Sequence, residues 1–414
     1  MGKLLAFLLS LLMGWTPLQE VKETFFYKQM EALSGTSAQD GYLRGVWLSQ
    51  FDMQPLYRDG NKQRDAEEFY KLCVTMCESL SKDGFNTVFL QLRPNGDSLY
   101  ESDLFPLSKY VAGDYGGEIE YDPIPLLLLA AKEQGLAVHG WLNPLRLVTV
   151  AEMEQIPHEY AIKKWYTAKT GQVKEWDGRL YLDPSYPEVI RLIADGAAEM
   201  LAKYDLAGIH MDDYFYPTTA EAFDQKEFAS SGYDNLGDFR RAQINLLVKE
   251  LYMVAHQAGK IYGISPAGNL DSLAEGYYAD AKTWCTQEGY IDYILPQLYF
   301  GFENKYCPFD QILSKWESLV QKGSVKLYVG LAASKAVLGS QGELDAFAGT
   351  AEGRSEWIRR KNVLQRSLEC TYDSAASGYC FFSASYLYCL QTGAVQEGIL
   401  EEYRNFAPLL HVKQ

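Results

Sequence analysis

Eight short apolar or β-branched runs, each bounded by turn residues and separated by stretches of helical length, leave few folds open to this chain. The runs are Leu43–Gln50, Phe85–Arg93, Leu136–Asn143, Leu206–Asp212, Ile261–Pro266, Asp292–Tyr299, Lys326–Ala332 and Gly378–Ser383. Helical stretches between them include Asp65–Lys82, Pro123–Gln134, Pro187–Tyr204, Asp238–Ala258, Phe309–Lys322 and Gly353–Glu369. Strand and helix alternating in this way predict an α/β fold, the closed parallel (β/α)8 TIM barrel, with a doubly wound open sheet as runner-up. A chain of 414 residues, 47% of them hydrophobic, can fill such a barrel. The expected organisation is one barrel over residues 41–414 behind a leader, residues 1–40.

The linkers are asymmetric. Segments entering strands are short, as in Asp83-Gly84, Gln134-Gly135 and Gly259-Lys260, whereas residues 94–121, 144–186, 217–237 and 267–280 follow strand ends. The extra length therefore falls on the C-terminal face, where barrel enzymes build their sites.

Parallel barrel strands are buried on both faces, so polar residues inside them need an explanation. Strand 2 ends in Gln91 and Arg93, strand 3 in His139, Trp141 and Asn143 with Arg146 beyond, strand 4 in His210, Asp212 and Asp213, strand 5 in Ser265, and strand 6 in Gln297 and Tyr299. Period-two alternation puts Gln91 with Arg93, His139 with Trp141 and Asn143, His210 with Asp212, and Gln297 with Tyr299 on shared faces that converge on the barrel axis. Asp213 belongs to the rim. Two adjacent carboxylates under partial burial tend to split their pKa values, which suits acid/base work. The structural alternative has one of the pair salt-bridged to Arg93 or Arg146 or capping the next loop.

Other chemistries fit less well. Ser265 lies in Gly-Ile-Ser-Pro, without the G-x-S-x-G elbow of a serine hydrolase. The five histidines, His139, His158, His210, His256 and His411, include no close pair, and only His139, His210 and Asp212 could form a facial metal triad. Seven cysteines without Cys-x-x-Cys spacing indicate neither a zinc site nor a disulfide framework. A net charge of −16 opposes nucleic acid and anionic lipid as partners, while an aromatic content of 14% offers flat faces for sugar rings. Lys3 and the apolar run Leu4–Trp15 have the length of a signal-peptide core and are too short to span a bilayer. Export to the cell envelope is the functional reading; an amphipathic start is the alternative.

The strings RGVWLSQFD (Arg44–Asp52), GFNTVFLQLRPNGDSLYESDLFPLS (Gly84–Ser108), YDPIPLLLLAAKEQGLAVHGWLNPLR (Tyr121–Arg146), LDPSYPEVI (Leu182–Ile190), GIHMDDYFYP (Gly208–Pro217), GISPAGN (Gly263–Asn269) and DYILPQLYFGF (Asp292–Phe302) resemble the glycosyl hydrolase-like 10 family. The resemblance implies a TIM barrel and a glycosidase, in a family associated with the cell envelope and with peptidoglycan strands stripped of peptides. It maps the family's strand 4 motif onto Asp212 and Asp213. A chitinase-type pattern would place an acid where this chain has Tyr214. The usual alternative needs a second carboxylate, about 5 Å away for retention and further for inversion; the candidates are Asp52, Asp97, Glu101 and Glu303, with Glu303 favoured for following strand 6.

The leading expectation is hydrolysis of a β-linked, N-acetylated bacterial glycan without a cofactor. Asp212 or Asp213 would protonate the leaving oxygen or stabilise the transition state. Arg93, Asn143, Arg146, His210, Gln297 and Tyr299 would orient the sugar, with Trp47, Trp141 and Tyr214 as stacking platforms. Two alternatives stay open, a non-catalytic glycan-binding barrel and a metal-dependent carbohydrate ester or amide hydrolase.

Overall fold

A computed structural model describes residues 41–412 apart from Tyr214 and Lys322. The leader, and with it the export reading, lies outside the described residues, as does Tyr214.

All eight expected strands form: β1 (Leu43–Leu48), β2 (Thr87–Arg93), β3 (Ala137–Leu142), β4 (Gly208–Met211), β5 (Ile261–Ile264), β6 (Tyr293–Ile294), β7 (Lys326–Leu327 and Val329–Leu331) and β8 (Gly378–Phe381). Each pairs in parallel with its neighbours in chain order, and β1 pairs with β8. The seam lies in β7, whose first piece pairs with β6 and whose second pairs with β8. Tyr328 sits at the break, and Gly330 N–H donating to Pro296 O at 3.0 Å carries the ladder across it. The fold is a closed (β/α)8 barrel.

Helices α1 (Ala66–Lys82), α2 (Ile124–Glu133), α3 (Pro187–Lys203), α4 (Leu236–Gln257), α5 (Ala281–Thr286), α6 (Phe309–Val320), α7 (Val363–Tyr372) and α8 (Leu400–Phe406) follow the strands in turn. The single helix expected over Gly353–Glu369 is two, Ala351–Arg359 and α7. The reason is a cap from far along the chain: the buried Glu402 carboxylate accepts the Val363 and Leu364 N–H groups at 2.9 and 3.1 Å, so a new helix can start there. All seven cysteines are free thiols. No helix among the described residues is long and apolar enough to cross a membrane.

Two apolar layers meet at the strands. Outward residues such as Val46, Leu90, Leu142, Ile209 and Ile264 pack under the helices, while Leu43, Trp47, Phe89, Trp141, Tyr293, Leu295, Tyr328 and Cys380 cluster inside the barrel. Rings of this size fit because their neighbours are glycines. A Cβ on Gly263 would lie 2.2 Å from the Tyr293 ring, one on Gly208 2.9 Å from His139, and one on Gly330 3.1 Å from Trp47. Gly263→Ala should therefore cost about 1–3 kcal/mol or more in denaturant unfolding, the range for overpacking a filled core. Gly276→Ala is the control, since a Cβ there meets nothing within 4 Å. Equal stability of the two variants would refute the packing account.

Candidate active site

The barrel is plugged from below by hydrogen-bonded rings. Trp47 Nε1–H donates to His210 Nε2 at 3.1 Å, which leaves the His210 proton on Nδ1, facing the Tyr293 hydroxyl at 3.1 Å. That hydroxyl in turn donates to His139 Nδ1 at 3.2 Å. Burial lowers both imidazoles, His139 to about 4 and His210 well below its usual range, with His139 adding to the effect on His210. Both are neutral and committed to neighbours. His210 is thus part of the floor, and the structure does not place it where it would touch a sugar. Among the described residues no three His, Cys, Asp or Glu side chains gather to hold a metal ion.

Above the plug, at the C-terminal ends of the strands, lies a cleft of about 390 Å³. Eight of the expected site residues line it: Trp47, Trp141, Asn143, Arg146, Asp212, Asp213, Gln297 and Tyr299. Trp141 and Asp212 sit on neighbouring strand ends, and the Trp141 Nε1–H donates to Asp212 Oδ2 at 3.1 Å, fixing the carboxylate against the floor. Asp213 is half-buried on the rim. Burial pushes its carboxyl above the usual range, outweighing a hydrogen bond from Gln297 and the nearby charge of Arg146. Gln91 ties the chain ends after β1 and β3 together: its Oε1 accepts the Gln50 N–H at 3.0 Å, and its Nε2 donates to Asn143 Oδ1 at 3.0 Å.

Besides His210, two expected residues lie elsewhere, for identifiable reasons. Arg93 does not share a face with Gln91, because the β2–β3 register slips between them and the extra residue turns Arg93 outward. Its guanidinium lies 3.6 Å over the Phe105 ring and reaches Ile193 O at 3.4 Å under α3. Glu303 is not among the lining residues. Burial raises its carboxyl, but hydrogen bonds and charge from Arg359 and Arg360 outweigh that and hold it below the usual range. An acid locked in its ionised form by two arginines is poorly suited to donate a proton.

The other second-carboxylate candidates are likewise outside the lining. Asp52 is buried in a capping box, accepting the Ser49 N–H at 2.7 Å. Asp97 is buried and accepts the Asn95 N–H at 2.7 Å. Glu101 is exposed. The third carboxylate that does line the cleft is Glu152, paired with Lys109 at 2.5 Å and capping its own short helix through Thr149. Thr149-x-x-Glu152 reads as a capping box in the sequence, yet nothing local says which way it faces. The long loops also bring Phe51, Asn95, Tyr110, Tyr115 and Arg179 to the cleft. Phe51 is 64% exposed, edge-on to Tyr110 at 5.4 Å, and forms an aromatic lip.

Carboxylates at the foot of an open cleft, aromatic faces around them, and amides held in fixed orientation make an arrangement able to bind a sugar ring and deliver a proton to a glycosidic oxygen. Solved structures with the same fold include the glycoside hydrolase domain of PgaB (BpsB) from Bordetella bronchiseptica, at a TM-score of 0.55 and 13% identity over 86% of this chain and all of that one. The catalytic domain of a Paenibacillus polymyxa β-amylase matches at 0.55 and 11%, over 91% of this chain and all of that one. Among relatives by sequence, the glycosyl hydrolase YngK of Bacillus subtilis is 30% identical over 72% of this chain, a match that spans 61% of YngK. The glycosyl hydrolase DigH of Escherichia coli is 29% identical over 70% of this chain and 73% of its own. The family model for Glycosyl hydrolase-like 10 matches residues 42–344, and with it the strand 4 carboxylates and nearly all of the cleft; the chain belongs to this family.

Proposed function

We propose that the protein is a glycosidase acting at the cell envelope on β-linked, N-acetylated glycan strands of the peptidoglycan type. The observation that carries this reading is the pairing of Asp212, pinned by Trp141, with Asp213, raised by burial, at the foot of an aromatic-lined cleft. In this reading Asp213 protonates the leaving oxygen, because a carboxyl with a raised pKa keeps its proton nearer neutral pH. Asp212, facing the inner end of the cleft, stabilises the oxocarbenium-like charge that develops on the sugar. Trp47, Trp141 and Tyr299 offer ring faces and edges to the sugar, and Asn143 and Gln297 orient its hydroxyl and amide groups. The names of the relatives and the carbohydrate enzymes among the solved neighbours support the same class.

The test is incubation with peptide-free peptidoglycan strands and with chitin oligomers, with and without chelator, reading new reducing ends by mass spectrometry. Cleavage that survives the chelator is the expected result. Binding without cleavage of any glycan would sink the enzyme reading. Loss of activity in chelator would move the protein to metal-dependent hydrolysis.

A further inference from the structure

One wall of the cleft gathers cations on an otherwise acidic chain, beside the carboxylates Asp212, Asp213 and Glu152 that line the same cleft. The protein carries a net −16, yet Lys109, Arg146 and Arg179 all face the cleft, on the side built by the loops after β2 and β3. Two of these cations have acidic neighbours: Lys109 pairs with Glu152 at 2.5 Å, and the charge of Arg146 acts on Asp213. Arg179 differs. Its Nη1 donates to Leu147 O at 2.8 Å and, at 3.5 Å, to Asn95 Oδ1, both neutral oxygens. Among the described residues no carboxylate is paired with it.

Arg179 is also held in place. It begins the strand Arg179–Leu182 of a three-stranded antiparallel sheet with Arg146–Thr149 and Val173–Trp176, in register with Thr149, and it is half-buried. A guanidinium clamped along one side by a backbone carbonyl keeps its remaining N–H groups in a fixed planar fork, the geometry that matches a carboxylate. Aromatic rings suited to a sugar face, Tyr110 and Tyr115, line the same cleft.

We propose that Arg179, assisted by Lys109 and Asn95, forms a subsite for a glycan residue that carries a free carboxylate, beside the sugar whose bond is cleaved. This rests on the glycosidase reading of the same cleft and adds a charge requirement to it. The carboxylate accepts two N–H bonds from the guanidinium, and the protein thereby distinguishes an acidic sugar from a neutral one of the same size. A strand whose carboxylates are capped as amides, by peptide or otherwise, loses the charge and gains bulk at that point.

The experiment is calorimetric binding to the full chain carrying Asp213→Asn, which prevents turnover, with three probes: peptide-free peptidoglycan strands, whose carboxylate is a lactyl ether; hyaluronan oligomers, whose carboxylate is a uronate; and neutral chitin hexamer. At least one acidic probe is expected to bind about 10–100-fold more tightly than chitin hexamer, the range for a charge-assisted bidentate contact. Arg179→Gln should bring that ratio to within about threefold, chiefly by weakening the acidic probe, and Arg179→Lys should restore part of it. Which acidic probe gains tells the lactyl source from the uronate source. Equal weakening toward all three probes would make Arg179 a hairpin brace and overturn the subsite, as would an unchanged ratio. Cleavage of chitin and peptide-free strands at equal rates by the wild type would remove the subsite and leave the glycosidase reading standing. Absence of binding and cleavage for every glycan would remove both.

Discussion

Asp213→Asn is expected to lower kcat on the cleaved glycan by about a hundred- to ten-thousand-fold, the contribution of a positioned general acid, with glycan affinity changed far less. The amide keeps the size of the carboxyl and can still meet the Gln297 side chain, so the loss isolates the proton. The pH profile carries the same information. Burial raises the Asp213 carboxyl above its ordinary value, so the protonated, active form persists to higher pH than for an exposed aspartate, and kcat falls as pH rises through that shifted value. The alkaline limb should be missing from whatever activity remains in the variant. Asp212→Asn should also be severely impaired, because an amide supplies no negative charge against the developing cation. Its residual pH profile should keep an alkaline limb, moved to lower pH because the neighbouring negative charge is gone, whereas the Asp213 variant has none, which tells the two aspartates apart. A loss under tenfold in both variants would move the chemistry elsewhere in the cleft.

Arg240→Met should have the largest effect on stability, about 3–5 kcal/mol in denaturant unfolding, the cost of leaving a buried charge without its partner. Arg240 on α4 is fully buried, and its Nε donates to both Asp224 oxygens, at 3.1 and 2.9 Å. It also reaches Thr218 O at 3.1 Å, Ala220 O at 2.8 Å and the Tyr278 hydroxyl at 3.0 Å. One side chain therefore ties down the segment that leaves Asp213 and returns to α4. Removing it leaves Asp224 buried without its counter-charge and two carbonyls short of a donor. The double variant Arg240→Met/Asp224→Leu should recover part of the loss, because the orphaned charge is gone. A cost below about 1 kcal/mol for the single variant would show that water replaces the guanidinium, and the anchor account would fail.

The barrel is legible in the sequence because its strands obey one rule throughout: buried on both faces, short, and followed by long loops. Trp141, Asn143, Asp212 and Gln297 can be placed at the cleft by the same rule, since period-two alternation holds along β3, β4 and β6. Arg93 escapes it. A single extra residue in β2 reverses the face, and Pro94, which follows Arg93, reads in the sequence as the end of the strand and not as a slip within it. Glu303 shows a different limit, because a loop has no period, and its two arginine partners come from more than fifty residues away. Glu152, Lys109 and Arg179 reach the cleft on three separate segments whose meeting depends on how the hairpin after β3 folds over the loop after β2. The capping box at Thr149 foretells a helix start but not its neighbour across the cleft.

The two tryptophans of the cleft have their indole N–H groups assigned to different partners, Trp47 to a neutral imidazole and Trp141 to the Asp212 carboxylate. Indole emission responds to the field and the hydrogen bond at that nitrogen, so the site contains its own optical gauge. Light from Trp141 follows the charge state of Asp212 and the arrival of a ring above it, whereas light from Trp47 follows the plug beneath. A titration watched through Trp47→Phe and Trp141→Phe separates events at the reacting carboxylate from changes in the barrel's interior, without attaching any label to the protein.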